Sequence, residues 1–557
     1  MFKLNAVRPE VVALGVSVYL LACLNLPLWQ RLFAITSSDT KGFLLCAAFM
    51  LMLLGVFTFC LTVAAFKPVY KPLLIILITV SAGVAHFMGE YGVMIDSGMF
   101  RNFAETNVQE VQGLLSVKLL TRILLLGVLP SILVWHLPVQ YRRWPRELLS
   151  KCVVGAVCMV VVCGTALANY QGLSSLFRNN KELRLLVVPS NYIGASVGYL
   201  REQLAVSQKP FRKIGEDAVR LTHTATAVRK SLTVLVIGET ARAQNFGVLG
   251  YARDTTPNLS RESGLLAFDN VYSCGTETAV SVPCMFSNMD RKNYDAAEAR
   301  SQEGLLDVLQ RAGLQVIWRD NQSGCKGACD RVIIEDVSRL KDPILCASGE
   351  CRDEVLLTGL ETLMSTLKED TVLVLHQMGS HGPEYYKRYP KAFEAFTPVC
   401  QSKSLNDCSQ QSIVNAYDNT VLYTDHVLSR LIGLLKNNQA NVDTAMIYVS
   451  DHGESLGEYN LFLHGAPYML APDQQKHVPL LIWLSEGYQK KVSVDAKCLK
   501  EERGTPLSHD NLFHSMLGLL QVQTRVYRPE LDLFGRCRST LTAGSEAGAH
   551  TAALLKP

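Results

Sequence analysis

The spacing of apolar positions divides this 557-residue chain into two regimes. In the first third they run together. The stretches 11–30, 42–66, 72–93, 123–141 and 152–170 are each near the ~20 residues that cross a bilayer as a helix. The first, second and fifth hold no Asp, Glu, Lys or Arg, the third closes on His86 and Glu90, and the fourth contains Pro130 and His136. A cleaved signal peptide does not account for the first stretch, which is long, lacks a small-residue cleavage site and is followed by further spans. Over 171–230 charged and apolar residues alternate at helical spacing, as in SLFRNNKEL at 175–183, which predicts short helices lying on a membrane surface. From 231 the pattern changes to short β-branched runs (232–237, 314–318, 371–375, 445–449, 478–484) separated by helical segments near 302–312, 354–368, 410–436 and 509–520. Continuous apolar strands between helices predict a buried, mainly parallel sheet with helices on both faces. The expected organisation is a bundle of five transmembrane helices over 1–170, a linker over 171–230, an α/β domain over 231–540, and a small, polar, disordered tail over 541–557.

Composition agrees with a membrane part. A mean hydropathy of +0.15 with 48% hydrophobic residues is too apolar for an ordinary soluble enzyme. A net charge of +4 leaves no basic field to track a nucleic acid, which is excluded as a partner. Charge placement sets the orientation. Lys3 and Arg8 precede the first run, Lys67 and Lys71 separate the second from the third, and Arg142, Arg143, Arg146 and Lys151 separate the fourth from the fifth. The loop after the third run mixes Asp96, Glu105 and Glu110 with Arg101 and Lys118. The positive-inside rule then puts the N-terminus in the cytoplasm and everything after 170 outside.

Cysteine usage tests this independently. Cys23, Cys46, Cys60, Cys152, Cys158 and Cys163 lie in or at the apolar runs. The other ten follow residue 230 as Cys274/Cys284, Cys325/Cys329, Cys346/Cys351 and Cys400/Cys408, with Cys498 and Cys537 left over. An even number in near neighbours reads as disulfides in an oxidising compartment. The alternative is a zinc site built from Cys325, Cys329, Cys346 and Cys351, against which the topology weighs.

Ligands of open α/β sheets bind beyond the carboxyl ends of the strands. There the chain carries Gly238-Glu239-Thr240, His376 followed by Ser380-His381-Gly382-Pro383, Ser450-Asp451-His452-Gly453-Glu454 and, further on, His464-Gly465. A lone Asp-His pair after a strand is commonly a turn or cap. Several such groups together point to a divalent metal, and zinc suits mixed N/O ligands. The segment CGTETAVSVPC, 274–284, would form a stapled loop opening onto a helix, with a hydroxyl in a field that favours anions. Thr276, Thr278 and Ser281 are equally capable of serving as caps and turn formers.

These motifs together resemble the phosphoethanolamine transferases of the alkaline phosphatase superfamily, in particular those acting on lipid A and the mobile colistin-resistance enzymes. The likeness runs over nearly the whole chain, and it implies an alkaline phosphatase/sulfatase-like catalytic domain on the periplasmic side of a Gram-negative inner membrane. By position, Glu239, Thr278, Asp451 and His452 match zinc ligands, and Thr278 matches the nucleophile. Lys326, His381 and His464 match residues that contact the phosphoryl group or a second metal, and Gln322 stands where relatives often have Asn, as a further substrate contact. Glu277 departs from the small residue usual before the nucleophile; it would alter local charge or face water. The implied activity takes phosphoethanolamine from phosphatidylethanolamine, passes it through Thr278 to a lipid A phosphate, and confers resistance to polymyxin, with the protein acting as a membrane-embedded monomer. The competing reading is a transferase on the same scaffold that uses a phosphoglycerol donor or another envelope acceptor.

Overall fold

The computed structural model describes residues 6–106, 108–221, 229–346 and 350–538; the tail expected over 541–557 lies outside them. Among the described residues four helices are long and apolar enough to cross a membrane: Thr40–Val63, Tyr70–Tyr91, Val117–His136 and Trp144–Ala168. The first expected span is not one helix. It is a pair, Pro9–Cys23 and Leu26–Ile35, bent by 61°. Pro27, in the first turn of the second piece, lacks an N–H and its ring opposes continuation from the preceding turn. Asn25 satisfies backbone groups at the break, donating to Leu20 O at 2.9 Å and Val188 O at 2.8 Å and accepting from Val188 N at 2.9 Å. The last span also differs from expectation. It begins at Trp144, so Arg146 and Lys151 sit in its first turns rather than in a loop. Lys151 donates to Ala65 O at 2.8 Å and lies 4.0 Å from the Phe66 ring centroid, its stem covering apolar surface while the ammonium stays at the helix end. The segment after the third span, expected as a loop, forms the helices Ser97–Glu105 and Val108–Leu114. In the linker, Tyr170–Asn179, Leu183–Leu186 and Ser190–Gln208 are helical.

The α/β domain is built on a seven-stranded sheet. In chain order its strands are β1 Ser231–Gly238, β2 Leu265–Phe268, β3 Gln315–Asp320, β4 Ile333–Asp336, β5 Thr371–His376, β6 Asp443–Ser450 and β7 Leu480–Leu484. The spatial order is β2-β7-β6-β1-β5-β3-β4. From β6 to β4 all pairs are parallel, whereas β7 is antiparallel to both β6 and β2. The run at 478–484 supplies β7, the reversed member of an otherwise parallel sheet. β2 and β4 escaped the pattern because they are four-residue edge strands. Side chains alternate across the sheet. Leu235, Ile237, Val374, Trp318 and Val449 enter one core with Val282, Met285 and Phe513, while Val234, Val236, Leu373 and Leu375 enter the other beneath the helix Gln410–Asn437. The ten cysteines after residue 230 pair as Cys274–Cys284, Cys325–Cys329, Cys346–Cys351, Cys400–Cys408 and Cys498–Cys537. The six in the membrane domain are free.

Candidate active site

The parallel strands end together, and three of the predicted metal ligands lie just beyond them. Asp451 N donates to Gly238 O at 2.9 Å, which locks the turn after β6 to the turn after β1. Glu239, Asp451 and His452 are fully buried, and one ligand atom from each lies within 4.8 Å of the others. His452 Nδ1 is 2.9 Å from Gly453 O, so it carries the proton and Nε2 turns inward, 3.5 Å from Glu239 Oε1 and 3.3 Å from Asp451 Oδ2. Asp451 Oδ1 accepts from Thr240 N and His452 N at 3.1 and 2.7 Å, while its Oδ2 is buried with no hydrogen-bond partner. Burial pushes the Asp451 carboxyl up and the His452 imidazole well down. A buried carboxylate oxygen without a partner beside an inward-facing neutral imidazole is what a divalent cation would satisfy, and the mixed N/O donors fit zinc.

The nucleophile candidate is presented by a short helix, Thr278–Met285, whose first residue is Thr278. The Cys274–Cys284 bond closes the approach to it. Gly275 is required there, because a Cβ would lie 2.9 Å from Val280 Cβ. The two rival hydroxyls separate clearly. Thr276 Oγ1 donates to Ala466 O at 2.7 Å, a loop-holding bond. Thr278 Oγ1 lies 3.2 Å from both Glu239 carboxylate oxygens and 3.3 Å from His452 Nε2, so it adjoins the three residues that could hold a metal ion. Ser281 Oγ accepts from Gly275 N at 2.9 Å and belongs to the loop.

Of the remaining predicted residues, His464, His381 and Gln322 adjoin this centre. The His464 ring centroid is 4.4 Å from that of His452 and 5.6 Å from that of His381, so three imidazoles form a row leading away from the metal cluster. Burial works against a proton on His464, but Glu454, 2.9 Å from Nδ1, outweighs it and holds the ring above its usual value. His381 is pushed well below by burial and by the facing His464. Lys326 takes a left-handed backbone, φ 52°, in the turn closed by Cys325–Cys329. Its Nζ donates to Ser323 Oγ at 2.9 Å, and it lines a cavity of about 310 Å³ with Pro283 and Arg300. Gln322 Nε2 donates to Glu239 Oε2 at 2.8 Å, so it touches one of the predicted metal ligands. Glu277 does not face water. It is 4% exposed and walls a cavity of about 290 Å³ with Asp96, Gly98 and Arg101 from the helix Ser97–Glu105 and its cap, and with Arg291 and Tyr468. Its Oε2 has no hydrogen-bond partner; burial, with Asp96 nearby, pushes the carboxyl up to about 8.

Three supporting groups were not assigned roles from the sequence. His376 Nδ1 is 2.8 Å from Asp320 Oδ1, and both are buried; their positions at the ends of β5 and β3 were the available signal. Glu454 orients His464 and accepts from the Tyr385 hydroxyl at 2.6 Å. His509 receives Cys274 N at 3.1 Å on Nδ1 and donates from Nε2 to Ser450 O at 2.9 Å, which ties the loop before Thr278 to the end of β6. It sits 58 residues after Asp451 at a helix start, where no local pattern marks it.

Comparison with known proteins bears on both parts of the chain. The family model described as "Phosphoethanolamine transferase EptA/EptB" matches residues 53–204, and that described as "Sulfatase" matches residues 231–522. Phosphoethanolamine transferase EptA of Salmonella typhimurium is 42% identical over 94% of this chain and 96% of its own length. Phosphatidylethanolamine transferase Mcr-1 of Escherichia coli is 36% identical over 93% and 96%. Kdo(2)-lipid A phosphoethanolamine 7''-transferase of Escherichia coli is 26% identical over 79% and 80%. Among solved structures, the lipooligosaccharide phosphoethanolamine transferase A of Neisseria meningitidis superposes with a TM-score of 0.93 at 37% identity, covering 96% of this chain and 100% of that one.

Proposed function

The chain belongs to the EptA/EptB family of membrane phosphoethanolamine transferases, and on that premise we propose that it moves phosphoethanolamine from phosphatidylethanolamine to a phosphate of lipid A through Thr278, releasing diacylglycerol. The observation that carries the reading is the position of Thr278 Oγ1, within hydrogen-bonding distance of Glu239 and His452 in a buried N/O cluster. Glu239, Thr278, Asp451 and His452 would hold zinc. Bound there, the metal would lower the pKa of the Thr278 hydroxyl and offset charge developing on the phosphoryl oxygens.

The residues of the chain supply the rest. In the first step Thr278 Oγ1 bonds to phosphorus, its proton leaves along the hydrogen bond to Glu239, and the bond from phosphorus to the diacylglycerol oxygen breaks. His464, kept protonated by Glu454, and His381 stand in a row suited to deliver a proton to that leaving oxygen. In the second step an oxygen of the acceptor phosphate takes the group, and Thr278 regains its proton. Lys326 offers a positive charge on the phosphoryl side. The cavity walled by Glu277 and Asp96 supports an ammonium-bearing headgroup over a glycerol one, because Glu277 Oε2 is buried without a hydrogen-bond partner and an ammonium beside it would favour the ionised form of a carboxyl that burial raises. A lipid A acceptor is supported by the relative that carries it in its name. Five disulfides after residue 230 and six free thiols in the membrane domain support a periplasmic catalytic domain. Mass spectrometry of lipid A from cells with and without the protein tests the reading: an added phosphoethanolamine is expected, and unmodified lipid A in cells that make the folded protein would overturn it.

A further inference from the structure

The catalytic domain touches the membrane domain at a second place, away from the nucleophile loop. The contact is made by a loop closed between Cys400 and Cys408, eight residues apart. Leu405 anchors this loop inward, fully buried in the core beneath Gln410–Asn437. Its outward groups meet the ends of two helices, where the last carbonyls have no partner within the helix. Asn406 Nδ2 donates to Glu90 O at 2.5 Å near the end of Tyr70–Tyr91, and the Tyr91 hydroxyl donates to Lys403 O at 3.1 Å. Lys403 Nζ donates to Gln112 O at 2.6 Å and Leu115 O at 3.3 Å, at the end of Val108–Leu114, where the helix dipole favours a cation. Lys118 Nζ lies 2.9 Å from Glu90 Oε2 and 3.2 Å from Asp407 Oδ1. Glu90 is 1% exposed, so a buried carboxylate shares its counter-ion with the loop.

This docking bears on the chemistry because the cavity walled by Glu277, the residue before Thr278, has walls from both domains. The fit is close: a Cβ on Gly98 would lie 2.5 Å from Glu277 Oε1, and one on Gly92 would lie 2.5 Å from Asn460 O. A small shift of one domain against the other therefore changes the wall next to the nucleophile.

We propose that the Cys400–Cys408 loop is a docking clasp: it captures the open carbonyls and the Glu90–Lys118 pair at the end of the third span, and thereby sets the register in which the helix Ser97–Glu105 completes the cavity walled by Glu277. The loop serves the junction between domains more than the stability of its own domain. The consequence for transfer rests on the proposed function; the docking itself does not. The test uses the full chain in nanodiscs containing phosphatidylethanolamine, with a Lys403→Ala, Asn406→Ala, Asp407→Ala variant that keeps the disulfide and a Cys400→Ser, Cys408→Ser variant that removes it. In both, amide exchange over 88–92 and 111–118 is expected to rise about five-fold, and labelling of Thr278 by the donor to slow about ten-fold. Zinc content is expected to stay unchanged in the variant that keeps the disulfide. Unchanged exchange overturns the clasp, as does raised exchange with unchanged labelling, or loss of zinc from the disulfide-retaining variant, which would make the loop a support of the catalytic fold. If the wild-type chain is not labelled at all, the donor reading fails, and exchange alone decides the docking.

Discussion

Gln322 offers the most exacting check on the proposed metal centre, because its amide reaches one of the proposed ligands. Its amide donates to Glu239 Oε2 at 2.8 Å, and that carboxylate is fully buried. A hydrogen bond to a charged group is worth about 1.5–3 kcal/mol, which converts to roughly 10- to 150-fold in an equilibrium constant. Loss of an outer-sphere partner typically lowers metal affinity about 10- to 100-fold, so two independent routes agree. Gln322→Leu, close in volume but without the amide, is therefore expected to weaken zinc binding by one to two orders of magnitude, read by competition with a chelating dye on the purified full chain. Donor KM is expected to change little once the site is saturated with metal. Gln322→Asn, one methylene shorter, should recover only part of the loss. Unchanged zinc affinity together with a raised donor KM would refute this reasoning and return Gln322 to substrate contact.

Incubation with phosphatidylethanolamine and no acceptor should release diacylglycerol and leave phosphoethanolamine on Thr278; Thr278→Ala should abolish both, and Thr276→Ala, which loses only its bond to Ala466 O, should slow the step by about ten-fold at most, with peptide mapping to locate the group. Glu277→Gln should lower kcat/KM for an ethanolamine donor by about ten-fold or more while sparing a phosphoglycerol analogue, because an ammonium beside Glu277 would favour the ionised form of a carboxyl that burial pushes up to about 8, whereas an amide cannot ionise; equal losses on both donors would count against the ammonium assignment. For Asp370, burial alone would raise the carboxyl, but Arg220 and Lys491 override it and hold it at about 2. A depressed carboxyl contributes stability that is present above its unfolded pKa and lost as pH falls through its folded one. The chain should therefore lose about 1–2 kcal/mol from this group between pH 4 and pH 2, with screening allowed for, and Asp370→Asn should flatten that part of the thermal-unfolding profile.

Much of this protein is set by local pattern. Apolar runs of bilayer length, β-branched strands between helices and eight cysteines in near neighbours are properties of short windows, and each has one physical outcome: apolar helices avoid water, buried strands pair, and close thiols oxidise outside the cytoplasm. The polar residues at strand ends were legible for the same reason, since a parallel sheet delivers Glu239, Asp451 and His452 to a common edge. Other features depend on what approaches from far along the chain. Thr276 and Thr278 are indistinguishable hydroxyls until Ala466 takes one and the Glu239–His452 cluster takes the other. Gln322 found Glu239, 83 residues away, and His509 found Ser450, 59 residues away; neither pairing has a local signature. The bend at Asn25 required a partner at Val188, and the reversal of β7 depended on which edge of the sheet remained open. The burial of Glu277 was decided only when the helix Ser97–Glu105, read from sequence as a charged loop, packed against the helix Thr278–Met285. Side-chain patterns report which face of an element will be buried, whereas the partner that buries it is chosen by packing of the whole chain.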